Sequence, residues 1–243
     1  PEYGGLGLSM IEEIKVAIEL GKTSPAMRST FGTNVGIGSQ GLVMAGTPEQ
    51  KAKWLPRIAT GEVITSFALT EPDIGSDSAN VKTRAVRDGN QWKLTGTKRY
   101  ITVMARTGEE GARGVSAFLV PADSPGLTIG APEKKMGQQG AHVCDVNFDN
   151  VPVPPENMLG AEGEGFKVAM RVLDRGRLHI AAVCVGAAER LITDSVGYAN
   201  ERIQGGKPIA QHQLIQGMIA DMKTECLAAK ALVLQTAAAK DAG

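Results

Sequence analysis

The residues of this 243-residue chain that could do chemistry gather in a few short polar stretches. The first is Phe67-Ala-Leu-Thr-Glu-Pro-Asp-Ile-Gly-Ser-Asp77, where an apolar run opens into a Pro- and Gly-bearing loop dense in small polar groups. Such a loop can offer backbone N–H groups and hydroxyls to something planar or anionic, because Gly75 lets a ligand approach the main chain closely. The same composition also suits a plain polar turn between strands, and the residues alone leave both readings open. A second stretch, Leu173-Asp-Arg-Gly-Arg177, puts Asp174 three residues before Arg177, the spacing of a surface ion pair on a helix. A third begins at Arg202, whose guanidinium could grip an anion bidentately or stand as a solvated charge at a helix end.

Several other chemistries are excluded by what is missing. No strand–GxGxxG–helix unit occurs, and the Gly4-Gly5-Leu6-Gly7 cluster has no strand before it, so a dinucleotide-binding α/β unit is not expected. There is no Walker A sequence, no HExxH and no GxSxG elbow, and the three histidines, His142, His179 and His212, are dispersed. Cys144, Cys184 and Cys226 show no CxxC spacing, which argues against a zinc site or a disulfide framework and for a reducing compartment.

The elements that must position these residues follow from periodicity. Ser9 and Glu12 form a capping box ahead of Met10, Ile11, Ile14, Ala17 and Ile18, an apolar stripe at helical spacing that stops at Gly21. Thr47, Pro48 and Gln50 predict a second helix start leading into Trp54 and Leu55. The Gly-, Ser- and Thr-rich stretch from Phe31 to Ala45 weakens a helix prediction there but would suit close helix packing. From about Val63 the period becomes two. Ser66 to Leu69 reads as a short buried strand, and Val81, Thr83 and Ala85 alternate with Lys82, Arg84 and Val86 before the hairpin signal Asp88-Gly89. Further strands are expected at Gln91 to Leu94, Val115 to Val120, Leu127 to Ile129 and His142 to Phe148, with a Pro-rich exit at 151–155. Helical period returns at Gly165, with a break expected near Arg175-Gly176 and a loop at Gln204 to Pro208.

This order of helices, antiparallel strands and long helices predicts an α+β chain with segregated layers: an N-terminal helical domain (1–65), a middle antiparallel, barrel-like β domain (66–160) and an incomplete C-terminal helical bundle (161–243). Both terminal domains are expected to be truncated, since the chain opens at Pro1 without Met and stops at Gly243 straight after a helix-forming run. Lys+Arg and Asp+Glu balance at 26 each, leaving no electrostatic footprint for nucleic acid. At 42% hydrophobic the chain can bury a sizeable core, and no stretch approaches the roughly 18 consecutive apolar residues of a membrane span.

The segment from Phe67 to Asp77 resembles the acyl-CoA dehydrogenase signature, and it does not stand alone. Thr97-Lys-Arg-Tyr-Ile-Thr102 is similar to that family's second flavin segment, and Arg202-Ile-Gln-Gly-Gly-Lys-Pro-Ile-Ala-Gln-His-Gln213 to its third. Pro1-Glu-Tyr-Gly-Gly-Leu-Gly7 and Gly163-Glu-Gly-Phe-Lys167 also fit, so five segments match in the right order. The resemblance implies FAD as cofactor. Phe67, Leu69 and Thr70 would face the flavin ring, the last two hydrogen-bonding its polar edge. Gly75 and Ser76 would lie at the pyrophosphate and the CoA side of the cleft. Tyr100, standing where the family commonly has Trp, and Thr102 would contact the ring and ribityl chain. Arg202 would reach the FAD pyrophosphate of a neighbouring subunit, with Gln204 and Gln213 on the same nucleotide. Gly205 departs from the family, which usually has Phe there.

The implied reaction is oxidation of an acyl-CoA thioester to the 2-enoyl-CoA, with a base taking the α-proton, the β-hydrogen leaving as hydride, and electrons passing to an electron-transferring flavoprotein. Ser76, Asp174 and Arg177 would lie by the acyl-CoA. No residue of this chain is expected to be the base. In the isovaleryl-CoA branch it is a Glu at the position of Gly176, and the usual alternative sits late in the C-terminal domain in a Tyr-Glu-Gly-Thr type motif that does not occur here. The base is therefore expected in a C-terminal segment beyond these residues, and the chain as written is expected to be inactive. Relatives also carry a loop of roughly ten residues after Thr102, so a shortened or omitted loop is expected there. The resemblance further implies a homotetramer or homodimer without a membrane span, in bacterial cytoplasm or the mitochondrial matrix. An acyl-CoA oxidase or related flavin oxidase of the same fold, or a non-catalytic relative kept for assembly or CoA binding, fits the same segments.

Overall fold

The computed structural model describes residues 1–98 and 102–243, and in helix α2 the side chains at positions 27, 30 and 31 lie outside what is described. Helices α1 (Met10–Gly21), α2 (Pro25–Val35), α3 (Gln40–Ala45) and α4 (Pro48–Ala59) come first, and long helices α5 (Gly165–Glu201) and α6 (Gln213–Ala242) come last. Between them run strands β1 (Arg84–Asp88), β2 (Gln91–Lys98), β3 (Thr102–Arg106), β4 (Val115–Leu119), β5 (Leu127–Pro132), β6 (Cys144–Val153) and β7 (Met158–Leu159). A two-stranded ribbon, β8 (Ile203–Gln204) and β9 (Lys207–Pro208), separates the last two helices. Contacts divide the chain into two units, Pro1–Leu6 with Ser29–Gly176, and Gly7–Arg28 with Arg177–Gly243.

In the first unit the seven strands form one sheet in the order β5-β6-β2-β1-β3-β4-β7, antiparallel except where β1 meets β3 at Arg84 and Arg106. The period-two reading is borne out residue by residue on the way into β1: Val81, Thr83 and Ala85 are buried while Lys82, Arg84 and Val86 are exposed. The hairpin after it closes on Asp88 paired with Gln91, so its two loop residues are Gly89 and Asn90. Gly89, at φ +60°, takes the first loop position of a type II′ turn, where a side chain would be strained. Ser66 to Leu69 contributes a single parallel bridge, Ala68 to Val103, rather than a full strand. Trp92 and Phe118 meet edge to face, 5.7 Å between ring centroids, in a cluster with Leu94, Val103, Val151 and Phe148. A second cluster joins Leu42, Ile58, Phe67, Leu69, Met104 and Val115 to Val168 and Val172 of α5.

The second unit buries the apolar stripe of α1 (Met10, Ile14, Ala17, Ile18) against Leu178, Ala182, Val183 and Val185 of α5 and Cys226, Val233 and Ala237 of α6. Both expected capping boxes are present, Ser9 with Glu12 and Thr47 with Gln50. Gly186 sits so close to α1 that a Cβ there would run into the Ile18 carbonyl, which is why the two backbones can approach.

Two further expectations are corrected. The break near Arg175-Gly176 does not occur, because α5 runs unbroken from Gly165 to Glu201. A glycine inside a helix costs only about 1 kcal/mol, and apolar residues on both sides of it are buried. Gly176 is accounted for by packing instead, since a Cβ there would lie 2.8 Å from the Ile37 side chain. The stretch Gln204 to Pro208 is a tight β-ribbon rather than an irregular loop, with Gly205 and Gly206 at φ +63° and +77° making its turn.

Candidate functional site

The signature loop is built from its two ends inward. At its start the chain lies beside β3: the Ala68 amide donates to the Thr102 carbonyl and the Met104 amide to the Ala68 carbonyl. Leu69 follows, buried, and then Thr70, half-buried. Glu71 and Ile74 close a tight turn on each other through both backbone hydrogen bonds, 2.9 and 3.2 Å, with Pro72 and Asp73 between them. Gly75, Ser76 and Asp77 are exposed beyond the turn. No atom of the described residues lies within 4 Å of where a Cβ on Gly75 would sit, so among them the space beside that stretch of backbone is open.

Beneath the turn lies a buried ion pair that sequence reasoning missed. Lys98, at the end of β2, is wholly buried, and its Nζ lies 2.8 Å from the Glu71 carboxylate and 3.0 Å from the Leu69 carbonyl oxygen to which it donates. The Glu71 carboxylate also accepts the Lys82 amide at 2.7 Å and the Thr83 amide at 2.8 Å. Burial pushes the Lys98 ammonium down from its ordinary 10.5 to about 8, partly opposed by the hydrogen bond and charge of Glu71. Burial also pushes the Glu71 carboxyl up, but the hydrogen bonds from Lys98 and from the two amides outweigh it and hold the group below its ordinary value. A buried charge pair with every partner supplied is the arrangement that can survive desolvation.

The far end of the loop is held by a second cation. Arg106, the last residue of β3, donates from Nε to the Val81 carbonyl at 2.9 Å and from Nη2 to the Ala79 carbonyl at 2.8 Å. Its own amide donates to the Thr83 carbonyl at 2.7 Å. Lys98 and Arg106 therefore clamp the segment 69–83 at both ends, so its exposed middle is carried on a fixed frame. One signal for Lys98 lay in the sequence: it falls on the same alternate positions of β2 as the buried Trp92 and Leu94.

The other expected residues are placed as follows. Phe67 and Leu69 are buried in the cluster around Met104 and Val115, so what they can offer a ring system is an edge of the core. Thr102 is buried, and its hydroxyl is 3.3 Å from the Gly38 carbonyl that it donates to. Tyr100 lies outside the described residues. A cavity of about 440 Å³ in this unit is bordered by Leu42, Trp54, Val63, Ser66, Thr102 and Val120, among others. Of the expected flavin residues that are described, only Thr102 borders it, and Thr70, Gly75 and Ser76 do not. Asp174 and Arg177 are both exposed on α5, one turn apart.

Arg202, Gln204 and Gln213 belong to the second unit and are all exposed. The Arg202 amide donates to the Tyr198 carbonyl at 2.8 Å and the Arg202 carbonyl accepts the Ile209 amide at 2.9 Å, so the residue marks the base of the β8–β9 ribbon. Gln204 lies in the ribbon, its carbonyl 3.3 Å from His212 Nε2, and Gln213 opens α6. Three side chains able to bind an oxyanion thus project from one short, turn-defined stretch.

The residues present fit a flavin edge on one observation. The Thr70 hydroxyl has no hydrogen-bond partner among the described residues, yet it stands beside buried Leu69 on backbone fixed by Lys98. An uncommitted donor and acceptor at the rim of an apolar cluster is what an amphipathic ring with a polar edge requires. No group of His, Cys, Asp and Glu that could hold a metal ion occurs among the described residues. Nor is any described helix long and apolar enough to cross a membrane.

Comparison with known proteins identifies this architecture. Residues 1–62, 66–151 and 163–243 match the family models for the N-terminal, middle and C-terminal domains of acyl-CoA dehydrogenases. Acryloyl-CoA reductase (NADH) of Anaerotignum propionicum is 42% identical over 254 aligned positions that take in all of this chain and 64% of that protein. Among solved structures, one described as the electron transferring flavoprotein of Acidaminococcus fermentans superposes with a TM-score of 0.96 at 40% identity, covering 100% of this chain and 66% of that one. An acyl-CoA dehydrogenase complexed with FAD from Bacillus anthracis gives 0.94 at 36% identity over 99% of this chain and 43% of its own. The chain thus spans under two thirds of the length of the curated reductase it matches. It belongs to the acyl-CoA dehydrogenase family.

Proposed function

We propose that the protein to which these residues belong is a FAD-dependent acyl-CoA dehydrogenase that converts an acyl-CoA thioester to the 2-enoyl-CoA and hands the electrons to an electron-transferring flavoprotein. The observation that carries this reading is the clamped loop: Thr70 and the Gly75-Ser76 backbone are held open to a ligand by buried Lys98 and half-buried Arg106 on neighbouring strands. The family match supports the cofactor, and the FAD complex of the Bacillus anthracis relative supports its identity. Likeness to the Acidaminococcus fermentans flavoprotein structure supports the electron partner.

Bound FAD would supply the hydride acceptor at its flavin ring. Everything else required of the protein is binding, orientation and exclusion of water. Thr70 would hydrogen-bond the polar edge of the ring, with Leu69 and Phe67 behind it, and Thr102 and Tyr100 would complete that contact. Gly75 and Ser76 would admit the pyrophosphate and the CoA side of the substrate. Arg202, Gln204 and Gln213 would hold a nucleotide of an adjoining copy, a role that requires a dimer or tetramer and suits three exposed polar side chains beside a rigid turn.

No residue of this chain is proposed as the base. At position 176 a carboxylate side chain would have to displace Ile37. The reaction therefore needs a carboxylate from elsewhere in the whole protein. Anaerobic addition of acyl-CoA thioesters to the whole, FAD-loaded protein should bleach the flavin, and this chain alone should show no turnover. Turnover by the chain alone would refute the assignment of the base outside it. Rapid reoxidation by air with release of peroxide would identify an oxidase instead.

A further inference from the structure

We propose that Lys98 is a positioning residue for the cofactor: through the Leu69 carbonyl and the Glu71 carboxylate it sets the direction of the Thr70 edge on which the flavin would rest. The inference rests on the flavin reading above and adds to it a residue that makes no contact with the ring.

The geometry points this way for three reasons. First, Lys98 Nζ reaches the residue before Thr70 through its backbone carbonyl at 3.0 Å and the residue after it through its side-chain carboxylate at 2.8 Å, so Thr70 is held between two residues tied to one ammonium. Second, the pair is connected onward. Glu71 accepts the Lys82 and Thr83 amides, which fasten the same turn to the segment leading into β1 that Arg106 holds through the Val81 carbonyl and its own amide. Third, the location is unusual for a mere staple. Joining β1 to β2 is already achieved by their ladder, β1 meets β3 at Arg84 and Arg106, and the cluster of Trp92, Leu94, Val103 and Phe118 packs β2, β3 and β4 together. Apolar side chains at both 98 and 71 would continue that packing without the desolvation cost that a charge pair carries, and buried ion pairs are often no more stabilising than such joint apolar replacements. What an apolar residue could not do is hold a carbonyl and a carboxylate in fixed directions. Sites that bind a rigid planar ligand need that pre-organisation, because a small misplacement of a donor loses its hydrogen bond.

The test uses the whole protein that contains this chain, with FAD and no acyl-CoA. Parent, Lys98→Met, Lys98→Arg and Glu71→Gln proteins are compared by FAD titration, by the visible spectrum and circular dichroism of bound flavin, and by thermal melting of the flavin-free form. The expected result is at least a tenfold weaker FAD affinity for Lys98→Met, with altered flavin dichroism, and partial recovery in Lys98→Arg. Should Lys98→Met fail to fold, Glu71→Gln keeps one acceptor oxygen, enough for Lys98 and the Thr83 amide but not for the Lys82 amide as well, and it should show the same flavin changes in smaller degree. Variants that melt lower yet bind FAD with unchanged affinity and dichroism would overturn the proposal and leave the pair a structural staple. A parent protein that takes up no FAD would overturn the flavin reading itself, and this inference with it.

Discussion

Glu71 and Glu189 each accept a lysine ammonium at under 3 Å, one in each unit, but their surroundings differ. Lys98 and Glu71 are 0% and 5% exposed, whereas Glu189 and its two partners, Lys22 and Lys230, are 17%, 34% and 34% exposed. Glu189 links α1, α5 and α6 side by side, and its carboxyl is held below its ordinary value chiefly by the hydrogen bond from Lys230. That network does what surface ion pairs do: it selects among helix registers that packing already favours, at little gain in stability. The Glu71 pair instead orders a loop with little packing of its own, and loss of either partner leaves a charge stranded in the core. The difference separates a charge pair that adjusts a helix bundle from one on which the local backbone depends.

Breaking the buried side should have the largest effect. Lys98→Met is expected to destabilise the chain by about 3–5 kcal/mol in urea unfolding, because Glu71 and the Leu69 carbonyl lose their partner. A loss under about 1 kcal/mol would place the pair with Glu189. Next comes the dependence on pH. Glu71 lies below its ordinary 4.5 in the fold, so its contribution is present above that value and is lost as pH falls through the acid range. Lys98 has the opposite sense: between about 8 and 10.5 the unfolded chain keeps a proton that the folded chain has released, so stability from this group rises with pH. Urea midpoints measured across both ranges should therefore differ between the parent and Lys98→Met, most visibly above pH 8.

Smaller effects are expected in the second unit. Asp241 accepts the Met10 and Ile11 amides at 2.7 and 3.0 Å, so a carboxylate from the end of α6 caps the start of α1. Asp241→Ala should cost about 0.5–2 kcal/mol by thermal melting, the range of a lost N-cap. Glu189→Gln should cost under about 1 kcal/mol and less in high salt, since its partners are a third exposed. A Glu189 effect as large as that of Lys98 would erase the contrast between the two sites.

How much of this was legible depended on whether the cause was local. Capping boxes, the alternation from Val81 to Val86 and the glycine of the hairpin are decided within a few residues, and they were readable. Strand β3 was not, because four of its five residues are buried on both faces and a central strand shows no alternation. The continuity of α5 was hidden because the reason for Gly176 is Ile37, which is far away in sequence. In the site, the motif residues could be named from resemblance, but the frame that holds them could not. Lys98 and Glu71 look like two solvated charges until the fold brings them together, and Arg106 like a strand end until its carbonyl partners are seen.

The central claim is that the Thr70 loop is a ready-made seat for the isoalloxazine edge of FAD. It is tested most directly by gel-filtering the purified chain after incubation with FAD and recording the visible spectrum of the protein fraction, alongside Thr70→Val, which keeps the shape and removes the hydroxyl. The account predicts a yellow protein fraction with a perturbed flavin spectrum, and weaker retention by the variant. A colourless parent, or a variant indistinguishable from the parent, would contradict it.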